Sequence, residues 1–550
     1  VTSAVAAALA PLGLGALAIV GAWLLPGAWL ARRLGLGGDG LERLAVAWCL
    51  GRAGFAAASL LAASTVGADV FPALAGAAAL AALAAAWRAH GLGLGVPRDA
   101  RAPVAAAVAA AALLTLAVVA RSGLPGEAGG LVFQGRDAVN DPLVYAGIAR
   151  RLHESGWPLV YPLGGGATTT STYLPYGVWV GLHALGVPML DAVLRIVPFA
   201  ETAALAVTAV AWARRLGGPP LAAGLGGVLV VLGGGLAGWL VAAGRALGVN
   251  AFHLDTWAFF GPYLLAFNPL APALQTAFVV LLVLAARPRP GPRAGLVAGL
   301  LVASLFETKL FVFAPVFVAL GAVALLRPPA ASGPALRRAA LAAGVATLPF
   351  LVEKLAWAHT LRGREATAFV PCPGCVARYL AEGSFGGDLS FARFLDPSVG
   401  PGAWAVGALA VVAVAAVGLG VRLAALPTMW RRARADGGDE GLTVAHRLVG
   451  VASAASLGAF ALVTTRPHFL NGAQFASVAA VLLWPFAAVA LAPGLRRRPA
   501  LGAATLALAL APGAWLWAVD LGVRARPLRV VPAASLDLAS AAGEVVPPDG

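Results

Sequence analysis

The sequence predicts an all-α fold, a polytopic transmembrane helical bundle of about 12–14 spans with amphipathic loop helices on its outer face. Three observations carry that expectation. Hydrophobic residues make up 60% of the chain and charged residues 11%, with a mean hydropathy of +0.85, which a soluble globular protein does not show. Apolar runs of roughly 18–25 residues recur along the whole length, each enough to cross a hydrocarbon core as a helix. Ten-residue alternating strands are absent, and in lipid only helices and closed barrels satisfy their own backbone.

Taken in order, spans are expected near 4–30, 44–64, 70–87, 103–120, 190–213, 221–243, 269–286, 294–306, 308–326, 339–357, 403–425, 448–464, 474–492 and 500–517. The first has no basic residue ahead of it and Arg32 and Arg33 behind it, a poor match to a cleaved signal peptide and a sign of an outward N-terminus. With that orientation the short arginine clusters fall on one side: Arg32/Arg33/Arg43, Arg88/Arg98/Arg101, Arg214/Arg215, Arg287/Arg289/Arg293, Arg327/Arg337/Arg338, Arg431/Arg432/Arg434 and Arg496/Arg497/Arg498. The formal net charge of +15 therefore sets topology in a lipid bilayer and does not indicate a nucleic-acid partner. The pair 294–306 and 308–326 is short, a hairpin or two tilted helices. Segment 174–188 is expected on the outer surface instead of across the membrane.

This divides the chain into N-terminal spans (1–120), an outer loop with amphipathic helices (121–189), a helical core (190–517) with outer loops 244–268, 358–402 and 465–473, and an outer tail (518–550) that reads as unstructured. No P-loop or dinucleotide fingerprint lies on the inner side, and charged residues look scarce at mid-membrane.

The densest polar chemistry is RDAVNDPLVYAGIARRLHESGWP, residues 136–158. Asp141 followed by Pro142 reads as an N-cap and first helical position. Behind them Val144, Tyr145, Ile148, Ala149 and Leu152 share one face, opposite Arg150, Arg151, His153 and Glu154, as in an interfacial amphipathic helix. Asp141 is either a helix cap or a functional carboxylate, with Asp137 and Arg136 just upstream. The only lysines are Lys309 and Lys354. Lys309 is a candidate phosphate cation or else an ion-pair partner of Glu307; Lys354 has Glu353 beside it and reads as structural. The loop NAFHLDTWAFFGPYLLAFNP adds His253, Asp255, Trp257 and Asn268, which suit either a sugar or lipid pocket or an interfacial aromatic belt. RPHFLNG adds Arg466, His468 and Asn471. No metal-ligand spacing joins His153, His183, His253, His359 and His468, so no dedicated metal site is expected. Cys372 and Cys375 form a CxxC in an outer loop, a candidate structural disulfide, and Cys49 is buried and inert.

DPLVYAGIARRLHESGWPLVYPLGG followed by YLPYG resembles the first outer loop of the GT-C-type integral membrane glycosyltransferases, in the mannosyl- and aminoarabinosyl-transferase branches. AGLVAGLLVASLFETKLFVFAPVFVAL is similar to that superfamily's short-helix pair, and TTRPHFLNGAQFASVAAVLLWPFAAVAL to its late helix start. Pro142 stands where an acidic residue is usual, and the loop follows the fourth span instead of the first. The resemblance implies a polyprenyl-phosphate-linked sugar donor, a glycan, lipid or protein acceptor, and a bacterial cytoplasmic membrane with its active face outward. It implies Asp141 as general base, Asp137 as the fallback base or a ligand for a divalent cation, and Lys309, Arg466 and Arg136 as cations for the leaving phosphate. Tyr145, His253, Asp255 and His468 would line the substrate pocket. Two other classes stay open: a transporter or flippase, for which the glycine-rich GGVLVVLGGGLAGWL is suggestive, and a non-catalytic membrane assembly subunit with the same fold.

Overall fold

The structure is a computed structural model that describes residues 2–89, 91–122, 124–125, 131–134, 140–157, 172–236, 269–326, 332–360, 368–376, 401–434, 439–466, 472–524 and 528–531. Every one of the fourteen apolar segments coincides with a helix. The first, α1, runs Thr2–Ala18, a π-helical turn Ile19–Leu24 and Leu25–Arg33. It is followed by α2 (Gly40–Thr65), α3 (Phe71–Arg88) and α4 (Arg101–Ser122). Two shorter helices, α5 (Asn140–Ser155) and α6 (Tyr173–Ala184), precede α7, which starts as Met189–Asp191, loosens into a π-helical turn Ala192–Ile196 and continues as Val197–Arg215. Then come α8 (Pro220–Leu232), α9 (Leu270–Ala285), α10 (Pro292–Phe306), α11 (Leu310–Leu326) and α12 (Gly333–Thr360). The last four are α13 (Pro401–Leu419, extended through Gly420–Ala424 and Ala425–Arg434), α14 (Glu440–Leu462), α15 (Gln474–Leu482 with Trp484–Arg497) and α16 (Pro499–Arg524). Among the described residues, eight helices are long and apolar enough to cross a membrane. The α10–α11 pair, at 15 and 17 residues, is shorter than the about 20 a perpendicular crossing needs.

Burial explains the arrangement. Every residue of α9 is buried, so this helix, apolar on all sides, is the axis around which α2, α7, α10, α14 and others pack. Many other spans keep an exposed apolar face, as α12 does at Leu341, Leu348 and Leu355, the pattern of a helix whose outer side meets lipid. Small residues set the tightest crossing. A Cβ on Gly27 of α1 would sit 2.0 Å from the Ala47 carbonyl oxygen, and one on Gly51 of α2 2.1 Å from that of Trp23. The two backbones touch because neither residue carries a side chain.

The arginine loops gather at one end. Arg32 donates to the Ala89 carbonyl at 2.9 Å and Arg43 to that of Gly93 at 2.6 Å. Arg214 bridges Asp99 and Asp39, and Arg215 meets Asp439 at 3.1 Å. Asp39 and Asp439 also cap α2 and α14, accepting from the Glu42 and Leu442 amides.

The structure departs from the expected fold in four places. Short strands accompany the helices: β1 (Leu124–Pro125), β2 (Leu131–Gln134) and β5 (Leu528–Val531) form an antiparallel sheet, and β3 (Ala368–Pro371) pairs with β4 (Val463–Arg466). The tail read as unstructured thus supplies β5, with Leu131 opposite Val531, because a distant strand offers it a ladder that local sequence does not reveal. The segment at 174–188, expected at the outer surface, is covered by protein: α6 is buried, with Gly177 against the Ala56 carbonyl and Gly181 against Phe55 and Phe71. Finally, α8 ends at Leu232, short of the expected 243. Its glycines then pass irregularly, Gly234 N donating to Ala509 O at 2.9 Å and Leu236 N to Val417 O at 2.7 Å. Buried Arg422, 4.4 Å from the Trp484 ring, donates to the freed Gly233 carbonyl at 3.1 Å, replacing a helical partner.

Candidate functional site

At the end opposite the arginine clusters a cleft lies between α2, α5, α6, α7 and α9, with about 730 Å³ of empty space that includes the open space at its mouth. Its rim carries Tyr145, Leu174 and Thr308, and its base carries Arg52 and Glu201. Two of the three stretches singled out from sequence meet around this rim: the outer loop through Tyr145, Leu174 and Pro175, and the FETK stretch through Thr308. The third stretch lies alongside, since Phe311 packs on Phe475 at 5.0 Å and on Phe369 of β3 at 6.0 Å.

Tyr145, partly buried, shares a face of α5 with buried Ile148, Ala149 and Leu152. That amphipathic face rests on protein, while Arg150 and Glu154 pair on the exposed side at 2.8 Å. Tyr145 stacks on Trp179 of α6 at 5.8 Å and meets Tyr176 edge-on at 6.2 Å. The π-helical turn of α7 brings Val193 and Leu194 to the cleft wall, and Pro175, Pro198, Pro269 and Pro272 stiffen it.

The rim is tied by a network that crosses three elements. Tyr173 N donates to Glu307 Oε2 at 3.0 Å and Leu174 N to Glu307 O at 3.1 Å, fixing the start of α6 on the α10–α11 turn. The Tyr173 hydroxyl donates to Glu353 Oε1 of α12 and accepts from Trp157 Nε1 at 3.2 Å. Burial, together with the Glu353 carboxylate, holds the Tyr173 phenol well above its ordinary range, so it stays protonated as a donor. Lys354 Nζ lies 3.3 Å from Glu307 and 5.0 Å from the Tyr173 ring centroid. Lys354, read from sequence beside Glu353, is thus the cation that meets Glu307, and Lys309 lies 5.5 Å from the Phe311 ring.

The base of the cleft was not legible as a site. Arg52 stands at the midpoint of α2 and Glu201 at that of α7, with 5% and 3% of their side chains exposed and 3.7 Å between them. Arg52 Nη2 donates to Thr276 Oγ1 at 2.7 Å, and Trp48 Nε1 reaches Glu201 Oε2 at 3.4 Å. This charge pair, at mid-helix and lining the cleft, is an exception to the scarcity of charge expected at mid-membrane. The signal was present in CLGRAGF and FAETAAL, since an ionisable residue inside an apolar span is a functional candidate by default.

Of the other residues singled out from sequence, Asp141 lies in the first turn of α5 and not ahead of it as a cap, its side chain outside the described residues. Arg466 ends β4 opposite Ala368, again without a described side chain. Asp137, Arg136, His253, Asp255, Trp257, Asn268, His468 and Asn471 lie outside the described residues. Cys372 and Cys375 are joined by a disulfide, and Cys372 N and Gly374 N donate to the Leu462 and Ala461 carbonyls, closing the end of α14. His153 and His183, unrelated by spacing, meet at 4.9 Å. Among the described residues no group of three His, Cys, Asp or Glu side chains is placed to hold a metal ion. No family model matches the chain, and no curated protein or solved structure is significantly similar to it.

Proposed function

We propose that the chain is an integral membrane glycosyltransferase that takes its sugar from a polyprenyl-phosphate donor at the outer face of a bacterial cytoplasmic membrane. The observation that carries this reading is the convergence of the YAGIAR, YLPYG and FETK stretches on one cleft, at the end away from the arginine clusters. The positive-inside tendency makes that end the outer one.

In the proposed reaction an acceptor hydroxyl attacks the anomeric carbon, the carbon–oxygen bond to the lipid phosphate breaks, and configuration inverts. Asp141, in the first turn of α5, takes the hydroxyl proton, a step worth about 10²–10⁴ in rate for a positioned base. The departing lipid phosphate carries away the bonding electrons, and Lys309 and Arg466, with Arg136 as a further candidate, balance its charge. A divalent cation held by Asp137 is an optional addition. The acceptor is a glycan, lipid or protein hydroxyl.

The test is consumption of labelled polyprenyl-phosphate sugars by the purified chain in lipid, beside folded Asp141→Asn and Asp137→Asn. Loss of about 10²-fold or more in the Asp141 variant alone is expected. Loss confined to the Asp137 variant would move the base. No turnover of any donor by the wild type would sink the reading.

One observation favours a second reading, transport of a lipid-linked or small solute: the Arg52–Glu201 pair lies at mid-helix at the bottom of an open cleft. In reconstituted vesicles a transporter would move the intact sugar-lipid between leaflets, whereas the enzyme cleaves its glycosidic bond.

A further inference from the structure

The last turns of α13 present an uncovered surface at the arginine end, and we propose that Trp430, Arg431 and Arg434 there bind the headgroup of an anionic phospholipid. This surface lies at the other end of the bundle from the cleft, and binding a lipid on it requires no sugar transfer.

The end of α13 has two faces. Arg422, Ala425 and Met429 are buried, and Met429 Cε lies 3.8 Å from where a Cβ on Gly450 of α14 would stand. Arg447 of α14 donates to the Ala433 carbonyl at 3.1 Å, and Arg432 to that of Leu216, just after α7, at 2.9 Å. These contacts dock one face on protein. On the other, Leu423, Leu426 and Trp430 are 37%, 39% and 59% exposed, and steps of three and four residues align them with Arg434. Farther back along the same helix Leu409 and Val412 are 69% and 68% exposed. A stripe of exposed Leu and Val along a span is the surface that lipid covers. Trp430 and Arg434 continue this stripe, so the molecule that meets them is a lipid of the adjoining leaflet.

The order of the side chains matches the layers of one phospholipid. Leu426, Trp430 and Arg434 follow at four-residue steps, about 6 Å each along the axis, from apolar through aromatic to cationic. Acyl chain, interfacial belt and phosphate succeed one another in the same order. Arg434 Cζ stands 4.1 Å from the Trp430 ring centroid, a cation–π contact that steadies the guanidinium beside the ring.

Charge decides the lipid class. At this end Arg214 and Arg215 are neutralised by Asp39, Asp99 and Asp439. Arg431 and Arg434 have no carboxylate within ion-pair distance among the described residues; Arg431 donates to the Pro427 carbonyl of its own helix at 3.3 Å. Two guanidinium groups three residues apart on a helix are neighbours, and a phosphate diester accepts from both. Phosphatidylcholine carries its own cation beside the phosphate, whereas phosphatidylglycerol leaves the negative charge for the protein to balance.

The experiment is native mass spectrometry of the full chain in neutral detergent, titrated with phosphatidylglycerol or phosphatidylcholine of identical acyl chains, reading the affinity of the first bound lipid. The wild type should bind phosphatidylglycerol about tenfold more tightly. Arg431→Gln and Arg434→Gln should each weaken it about fivefold and leave phosphatidylcholine unchanged. Trp430→Leu, which keeps an apolar side chain and removes the ring, should weaken it about threefold. The double variant Arg337→Gln/Arg338→Gln removes two exposed charges at the start of α12 and should change the affinity by less than about twofold. Equal affinity for the two lipids, unchanged binding in any of the three single variants, an equal loss in the Arg337/Arg338 variant, or displacement of the lipid by an equal concentration of inorganic phosphate would overturn the assignment.

Discussion

Replacing Glu201 by Gln should destabilise the folded chain by about 3–5 kcal/mol, the usual cost of stranding one member of a buried ion pair. Arg52 and Glu201 are 5% and 3% exposed, and their charged atoms lie 3.7 Å apart. At that separation opposite unit charges attract by about 4 kcal/mol at an effective dielectric near 20. In the variant Arg52 keeps Thr276 as an acceptor at 2.7 Å but loses its counter-charge, and the Trp48 indole keeps an amide oxygen in place of a carboxylate. Arg52→Gln strands the opposite charge and should cost a similar amount. Removing both charges with Arg52→Met and Glu201→Leu should return stability to within about 1 kcal/mol of wild type or above it, since the double change also removes the desolvation cost. The assay is reversible unfolding in mixed micelles, read as a double-mutant cycle with helicity and tryptophan fluorescence as coincident probes. Single variants within about 0.5 kcal/mol of wild type, or a double variant equal to the sum of the singles, would refute the claim that the two charges are buried as a coupled pair.

Other outcomes follow from the same geometry. Gly51→Ala should destabilise by about 1–3 kcal/mol because its Cβ meets the Trp23 carbonyl oxygen, whereas Gly54→Ala, with nothing within 4 Å, should be neutral or gain about 0.4–1 kcal/mol; equal unfolding midpoints would contradict the close α1–α2 crossing. His153 is held below its ordinary pKa chiefly by burial and then by the facing His183, against the opposite pull of Asp69 and Glu154. The unfolded chain therefore takes up this proton first, and stability should fall as pH drops below about 6.5, toward the lower folded value. His153→Gln should flatten that part of a stability–pH curve, and an unchanged curve would place the acid sensitivity elsewhere. Reducing Cys372–Cys375 should cost no more than about 2 kcal/mol, since the bridged loop is short; a larger loss in non-reducing against reducing unfolding would mean the clip holds more than the end of α14.

The legible part of the protein was its apolar pattern. Each of the fourteen segments read from hydropathy holds a helix, and the arginine loops between them meet at one end, because span length and loop charge are local properties that lipid imposes on any chain. Tyr145, Leu174 and Thr308 could be singled out as parts of two stretches, but not as neighbours. The partner of Glu307 was not legible either. Proximity in sequence pointed to Lys309, while Lys354 reaches it from a helix packed alongside.

By itself, then, the sequence determined that the chain is a bundle of apolar helices, roughly where each lies, and which loops carry its polar chemistry. Only the tertiary structure decided that Arg52 and Glu201 face each other at the bottom of a cavity, that Trp179 lines it, that α6 is buried, and that Leu528–Val531 completes a sheet begun at Leu124. The physical reason is the origin of the signal. Hydropathy is a property of neighbours along the chain, so it survives in sequence; which face of one span meets which face of another depends on ridge, groove and glycine contacts between residues far apart along the chain, and these exist only once the helices have packed.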